Sequence, residues 1–212
     1  GSASGVYQQG VYAKYNLATA HFYKNDWLNA YGSYSYSPRK EFKEDENNTR
    51  FFAPDEITTS GYRDSYFTRE TKSNPHQANV VLDLTANEQH SFGISATVFV
   101  SPNKRFDNQA LSLNTNSQRQ LDSTFTTASS STRNTSNIAL NATHTFNLAD
   151  SETQLVTQAN YVTYSADRAQ DVETNYFSPS GLQLRNNNFN TTGNQDSTIF
   201  TGQIDLSIPL TS

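Results

Sequence analysis

Residues 78–100 read ANVVLDLTANEQHSFGISATVFV, and this stretch decides the fold class. Apolar residues occupy every second position on both sides of a short polar turn at Asn87-Glu88-Gln89. Because alternation of period two gives an extended chain one apolar face, it predicts two β-strands. A short turn joins only antiparallel neighbours, so the stretch predicts a β-hairpin. The alternating positions are Ala78, Val80, Leu82, Leu84, Phe92, Ile94, Ala96, Val98 and Val100.

The same pattern recurs at a nearly constant interval. Asn25, in the turn-like Lys24-Asn25-Asp26, precedes Asn87 by 62 residues, and Asp150, in Asp150-Ser151-Glu152, follows it by 63. Alternation flanks each turn and returns near the end of the chain. The sequence therefore predicts an all-β protein, an antiparallel up-and-down meander of about seven strands with three short turns at one end. The predicted strands are 6–23, 27–38, 66–86, 91–102, 132–148, 154–166 and 197–210.

Long polar stretches separate the hairpins, at 39–65, 103–131 and 167–196. Compact soluble domains seldom contain three structureless loops of that length. We expect them to form long loops at the other end of the meander, or to extend the strands beyond a membrane. Pro38, Pro75 and Pro102 lie where the apolar alternation stops, and proline cannot donate to a strand ladder. These prolines are expected at the end of an apolar band.

The composition favours a membrane barrel over a two-layer soluble core. Asn, Gln, Ser and Thr make up 86 of 212 residues, and hydrophobic residues make up only 34%. In a transmembrane barrel one face of each strand meets lipid and the other meets a polar lumen, so few apolar residues suffice. The net charge of −5 argues against nucleic acid as a partner, because nucleic-acid binding needs basic patches. No run of 18 apolar residues occurs, so no transmembrane helix is expected.

The alternation assigns side chains to two faces. We expect one face to be apolar, with Leu82, Leu84, Ile94, Val98, Ile138, Leu140, Ile204, Leu206 and Ile208. We expect the other to be polar and to line the lumen, with Asn79, Asp83, Ser95, Thr97, Asn141, Thr143, Gln158, Asn160, Gln203 and Asp205. A register slip of one residue would exchange the two faces of a strand, so each assignment can be checked in a structure.

Aromatic residues recur at two levels of the predicted meander. One level lies near the short turns, with Phe22, Tyr23, Trp27, Phe92 and Phe146. The other lies about 8–10 residues away along the strands, with Tyr34, Tyr36, Phe99, Tyr161 and Tyr164. Two such levels are typical of the aromatic girdles at the borders of a membrane barrel. The alternative is that aromatic residues are common in any strand.

No motif in the sequence carries catalysis. The histidines His21, His76, His90 and His144 lack metal-ligand spacing, so we interpret them as isolated and solvated. The acidic residues Glu41, Glu44, Asp45, Glu46, Asp167, Asp171 and Glu173 lack the loop pattern that wraps calcium, so we interpret them as solvated loops. We expect no enzyme, no catalytic or metal-binding residue and no cofactor. The pattern names no ligand-binding residue.

Three stretches resemble a known family. They are YNLATAHFYKNDWLNAYGSYSYSPRK (15–40), NVVLDLTANEQHSFGISATVFVSPNKR (79–105) and NIALNATHTFNLADSETQLVTQANYVTYSADR (137–168). Their Asn-rich alternating strands, acidic turns and Tyr-x-Ser or Ser-x-Tyr returns resemble the outer-membrane β-barrel domain of TonB-dependent receptor-like proteins of the Bacteroidetes kind. The resemblance covers about Val6 to Leu210. It implies a Gram-negative outer membrane, a plug inside a large barrel, and an inner-membrane energy-coupling protein that drives uptake of a bulky extracellular ligand.

The sequence departs from that family plan, since it shows no plug, no coupling box and no terminal aromatic strand. Seven strands cannot close a bacterial barrel, which has an even number of eight or more. We therefore expect residues 6–212 to be one section of a barrel domain, and residues 1–5 to be a tag or linker remnant. The expected partners are the lipid bilayer, the remaining strands and plug of the parent barrel, an energy-coupling protein and an extracellular ligand.

Two functional hypotheses remain. The first is part of an outer-membrane receptor or transporter barrel that takes up or binds an extracellular ligand. The second is a soluble all-β binding module of the adhesin or carbohydrate-binding type, whose apolar faces pack against each other. The regular interval between hairpins favours the first, because sandwiches usually show turns every 8–12 residues. Partition of the full-length parent between detergent-extracted membrane and a soluble secreted fraction separates them.

Overall fold

A computed structural model of the chain describes residues 1–148 and 153–209. These residues are almost wholly β, and none of them forms a helix, so no helix in this part of the chain could span a membrane. The predicted turn at Asp150-Ser151-Glu152 and the strand residue Leu210 lie outside the described residues. The strands are β1 (Ser2–Gln9), β2 (Ala13–Lys24), β3 (Leu28–Tyr36), β4 (Arg39–Phe52), β5 (Thr59–Ser73), β6 (His76–Thr85), β7 (His90–Asn116), β8 (Leu121–Asn147), β9 (Gln154–Phe177) and β10 (Gln183–Ser207).

The described strands form one antiparallel sheet in which most neighbours are consecutive in the chain; β3 with β6, β5 with β7 and a single pair between β2 and β4 are the exceptions. β3 and β4 lie end to end on one line of the sheet, and β6 and β5 lie end to end on the next. β7 is long enough to pair with β6 along one half and with β5 along the other. Because two pairs of strands lie end to end, the ten strands occupy eight positions across the sheet, from β1 at one edge to β10 at the opposite edge. The prediction of an all-β antiparallel meander is confirmed.

The predicted number and lengths of the strands were wrong. The expected first strand, 6–23, is a hairpin of β1 and β2 that turns at 10–12. Of the two arrangements expected for the three polar stretches, long loops or extensions of the strands, the structure shows the second. The stretches are mostly strand, and each pair of long strands meets in a tight turn, at 53–58, 117–120 and 178–182. Residues 2–5 belong to β1 and pair with Leu17–Ala20 in the sheet.

The turns at both ends of the sheet use the same chemistry. At the end with the predicted turns, the Asn87 Oδ1 atom accepts hydrogen bonds from the backbone N–H of Gln89 and His90, both at 2.9 Å. At the other end, the Asn116 Oδ1 atom accepts from the N–H of Gln118 and Gln120, at 2.9 and 3.0 Å. Asn and Asp side chains that bond the backbone two or more residues ahead close a turn without regular pairing. The second set of turns therefore needs no long loop.

Three prolines divide the sheet into two halves. Pro38 separates β3 from β4, Pro75 separates β5 from β6, and Pro102 lies in the register shift that interrupts pairing of β7 with β8. They lie at one level, because Tyr36, His76 and Val100 are paired side by side just below them. We call 13–36, 76–101, 135–147, 154–166 and 195–207 the lower half, and 39–73, 104–134 and 167–194 the upper half.

The sheet is a single layer. Its accessible surface is 14327 Å², whereas a compact monomer of 23.7 kDa exposes about 9,800 Å². Among the described residues, no large side chain is fully buried, and the one buried apolar side chain is Ala166. Both edges are open, since β1 pairs only with β2 and β10 only with β9. The fold therefore has two broad faces and no interior core.

Candidate ligand-facing wall

The register of the strands assigns every lower-half side chain to a face. Residues paired across antiparallel neighbours project to the same side of a sheet. Leu82 pairs with Ile94, and the same row continues through Ala142 and Ala159 to Gly202. Leu82 and Asp205 therefore project from opposite faces. Both predicted face assignments are confirmed within the paired strands; Ile208 lies one residue beyond the last pair, at Ser207.

The polar face is the crowded one. Every buried side chain in the described part of the chain projects from the face that carries Asp83: Thr71, Ser73, Ser101, Ser112, Ser131 and Ala166. On the opposite face of the lower half, the apolar side chains of Phe92, Ile94 and Leu140 are 40–45% exposed. Side chains crowd on the inside of a curved sheet and spread apart on its outside. We infer from this difference in burial that the sheet curves toward the Asp83 face, and we call that face the concave face and the Leu82 face the convex face.

Hydrogen bonds between side chains run across the concave face of the lower half. The Thr97 hydroxyl donates to Asn79 at 3.1 Å, and the Asn79 amide donates to Ser33 at 3.2 Å. In a second chain, the Asn141 amide donates to Asn160 at 2.5 Å, and the Asn160 amide donates to Thr201 at 3.2 Å. Neighbouring strands thus share amide and hydroxyl groups. The ten residues predicted to line a lumen all lie on this face.

The lower concave face also contains a depression of about 410 Å³. Its lining includes Gly93, which has no side chain, and the polar residues Asp83, Ser95, Asn141 and Thr143. Smaller depressions of about 220–240 Å³ lie elsewhere on the same face. A surface of this kind offers many hydrogen-bond donors and acceptors to a polar solute.

The predicted aromatic levels are only partly correct. Tyr23, Phe92, Phe146, Tyr34, Tyr36 and Tyr161 lie on the convex face, as girdles require. Phe22, Phe99 and Tyr164 lie on the concave face, because they pair with Tyr31, with Gln77 and with Asn137 respectively. The position of a residue along a strand sets its level but not its face, because successive side chains point to opposite faces.

Two of the histidines expected to be isolated are in contact. The His90 Nδ1 and His144 Nε2 atoms are 3.0 Å apart, and the two rings are stacked with centroids 5.3 Å apart. Phe146 stacks on His90, and Phe92 stacks on His144. These four rings form one cluster on the convex face beside a short turn. No third ligand completes a metal site there or elsewhere in the described residues.

Cations form a row on the concave face just above the proline level. Lys104 pairs directly with Arg133, and Arg133 with Arg168. Lys14 and Arg39 are paired at the same level on the other side of Ser73. Sequence reasoning missed this row because most of its members lie at or beyond the predicted strand ends. The available signal was a basic residue within two positions of four of those ends: Arg39, Lys104, Arg133 and Arg168.

One carboxylate stands beside the row. Lys14 donates a hydrogen bond to Glu41 at 2.9 Å and holds the pKa of that carboxyl below its ordinary value, with Arg39 and Lys104 acting in the same direction. The acidic run predicted as one loop is in fact split. Glu41 and Asp45 lie on the concave face of β4, and Glu44 and Glu46 lie on its convex face.

A second row of cations lies on the convex face at nearly the same level. Lys40 pairs with Lys72, and Lys72 pairs with Arg105. Lys40 is bonded to Glu70 at 2.8 Å and Arg105 to Asp107 at 2.8 Å, both one row higher. This row borders the apolar part of the convex face, which ends at Val100. Long basic side chains in that position can bend away from an apolar surface.

No protein-family model matches the chain, and no curated protein sequence matches it significantly.

Proposed function

We propose that the chain is part of the wall of an outer-membrane receptor or transporter β-barrel, which takes up or binds an extracellular ligand. The observation that carries the proposal is the polarity of the curved sheet. In the lower half, the convex face is apolar and exposed, and the concave face is mostly polar; all the buried side chains of the described residues lie on the concave face. A soluble curved sheet buries apolar side chains, whereas a membrane barrel turns them outward to lipid and encloses the polar ones.

The height of the apolar part supports a bilayer-spanning wall. Along β7 it extends from His90 to Val100, which is about ten steps of roughly 3.3 Å, or roughly 33 Å of strand. At the strand tilt of about 40° usual in such barrels, this length rises about 25 Å. That is the height of the apolar band in outer-membrane barrels. The upper half would then project beyond the bilayer.

The borders of the band support the same arrangement. At the upper border, Tyr34 and Tyr36 lie on the convex face below Lys40, Lys72 and Arg105. Aromatic rings suit the head-group level, and basic side chains just above it can reach anionic head groups. At the lower border, the ring cluster of His90, Phe92, His144 and Phe146 takes the corresponding place.

The open edges define the partners that the proposal requires. β1 and β10 each have one unpaired side, and hydrocarbon does not tolerate unpaired backbone groups. The wall must therefore continue through further strands of a parent barrel at both edges. By the family resemblance, that parent would also hold a plug and engage an inner-membrane energy-coupling protein.

Glycine 202 provides the test of this proposal against a soluble binding module. It lies on the convex face, and a Cβ atom added there would come no nearer than 3.9 Å to another residue, the Gln158 backbone oxygen. In lipid, Gly202→Leu adds one more apolar contact and should leave unfolding by guanidinium unchanged or slightly harder. In a packed soluble core it should cost about 1–3 kcal/mol. Gln203→Arg on the concave side is the matched control, expected to fold normally. A parent that is stable in water without detergent, and strongly destabilised by Gly202→Leu, would contradict the barrel.

A further inference from the structure

We propose that Lys104, Arg133, Arg168 and Arg69 form a binding site for an oxyanionic solute on the concave face, recognising a phosphate, sulfate or carboxylate group. The site would define a class of ligand for the proposed barrel wall, and it therefore rests on the proposed function. Arg133 and its paired neighbours Lys104 and Arg168 occupy three successive strands, and Arg69 lies two rows higher, on β5.

None of the four cations forms a direct ion pair with a carboxylate. Of the ion pairs in the described part of the chain, none involves Lys104, Arg133, Arg168 or Arg69, and Lys104 acts on Glu41 only from beyond ion-pair distance. Like charges directly opposite each other on neighbouring strands are destabilising. The chain has more carboxylates than cations, with 20 Asp and Glu against 15 Lys and Arg. Even so, the nearest concave-face carboxylate, Glu41, is bonded to Lys14. An incoming anion would relieve this repulsion.

Neutral partners hold the arginines in place. Arg133 donates to the Tyr164 hydroxyl at 2.8 Å, Arg168 to Gln170 Oε1 at 2.6 Å, and Arg69 to Asn108 Oδ1 at 2.7 Å. Each of these bonds uses one nitrogen of a guanidinium group that carries five N–H donors. The remaining donors are available to planar oxyanions, which guanidinium groups bind with two parallel hydrogen bonds.

There is room for a ligand among these groups. A depression of about 220 Å³ is lined by Arg69, Arg133 and Arg168, together with Phe106, Asn108 and Ser131. Arg168 is paired with Gly193, and a Cβ atom added to Gly193 would meet nothing within 4 Å. The surface next to Arg168 is therefore open.

The ligand is a solute and not a lipid, because the row projects from the face opposite the apolar band. Lipid phosphates would instead meet Lys40, Lys72 and Arg105 on the convex face. Substitutions in the concave-face row should therefore affect binding of a dissolved oxyanion, and substitutions in the convex-face row should affect binding of lipid phosphates.

The test is calorimetric titration of tripolyphosphate into the 212-residue chain in uncharged maltoside micelles. Arg133→Gln with Arg168→Gln should weaken binding by at least about tenfold, since hydrogen bonds to charged groups are worth that much or more. The matched control is Arg50→Gln with Arg105→Gln, which removes two convex-face cations and should change affinity less than about twofold. Equal losses in the two double variants, or no binding by the unaltered chain, would overturn the site.

A second pair of variants keeps all four cations. Gly193→Glu places a carboxylate beside Arg168 and should also weaken binding about tenfold, whereas Thr192→Glu, on the convex side of the same strand, should not. Equal effects would overturn the proposal even if the arginine variants failed to fold. Insertion of the full-length parent into phosphatidylcholine vesicles is measured separately, because the open edges of the 212-residue chain alone are not tolerated in hydrocarbon. Binding without insertion would contradict only the membrane function, and insertion without binding would contradict only the anion site.

Discussion

The two halves of the sheet share strands, register and turn chemistry, yet they differ in the convex face. Below the prolines that face carries residues such as Leu82, Ile94 and Leu140, and above them it carries residues such as Glu44, Asp107 and Glu173. The concave face is polar in both halves. Backbone pairing therefore does not require an apolar face, and the residue types on the convex face are what distinguish the halves. In the barrel proposal, the environment of that face is lipid below and water above.

The largest expected difference follows from putting the same charge into each half. Leu140 and Leu111 both project from the convex face, 44% and 37% exposed. Leu140→Arg near the middle of the band should destabilise the parent barrel in lipid vesicles by about 2–4 kcal/mol. Leu111→Arg, above the band, should change the free energy of unfolding by less than about 0.5 kcal/mol. Urea unfolding of both variants measures this, and equal costs would show that the halves share one environment.

Glycine-to-alanine substitutions should have smaller effects on stability, and here the upper half should be destabilised and the lower half stabilised. A Cβ atom at Gly61 in the upper half would lie 2.6 Å from the Thr115 backbone oxygen, whereas one at Gly32 in the lower half would meet nothing within 4 Å. Gly61→Ala should therefore weaken pairing of β5 with β7, at a cost of about 1–3 kcal/mol. Gly32→Ala should stabilise the sheet by about 0.4–1 kcal/mol, since it restricts the unfolded chain. Hydrogen exchange of the β5 amides would locate the first effect, and unchanged exchange would contradict it.

The smallest expected effect concerns pH and arises where the two halves meet, at the ion pair of Lys14 and Glu41. Because Lys14 lowers the pKa of Glu41 in the folded chain, this pair stabilises the fold above the ordinary carboxyl pKa. That contribution is lost as the pH falls below about 4.5 and through the lowered pKa. Glu41→Gln should remove this part of the acid dependence, and Glu44→Gln, on the other face of β4, should leave it unchanged. Unfolding midpoints between pH 3 and pH 6 test the difference, and equal slopes for the two variants would contradict it.

The sequence predicted the lower half better than the upper half for a physical reason. Alternation is visible where one face must be apolar, as from Ala78 to Val100, so strands and faces there could be read directly. Where both faces are polar, as in residues 183–194 of β10, no periodicity marks a strand. The upper turns did leave signals: Ser178-Pro179-Ser180-Gly181 has the composition of a tight turn, and Asn116 is a typical turn-closing residue.

The candidate site was predictable in part. The residues of the concave face followed from alternation, because a register error would have inverted whole strands. The cation row did not, since it depends on how strands align across the sheet. Lys104 and Arg168 are 64 positions apart in the chain, and they share a level only because both flank Arg133. The contact between His90 and His144 likewise depends on the register of β7 and β8.

The central claim is that the convex face of the lower half meets lipid while the concave face does not. The chain contains no cysteine, so single cysteines can carry spin labels without background. Labels at 92–100 and 105–113 of β7 in reconstituted vesicles would be compared for collision with dissolved oxygen and with a water-soluble nickel complex. We expect oxygen accessibility to alternate with period two in the lower segment, highest at Ile94 and Val98, and nickel accessibility to dominate in the upper segment. Nickel accessibility at Ile94 equal to that at Leu111 would contradict the account.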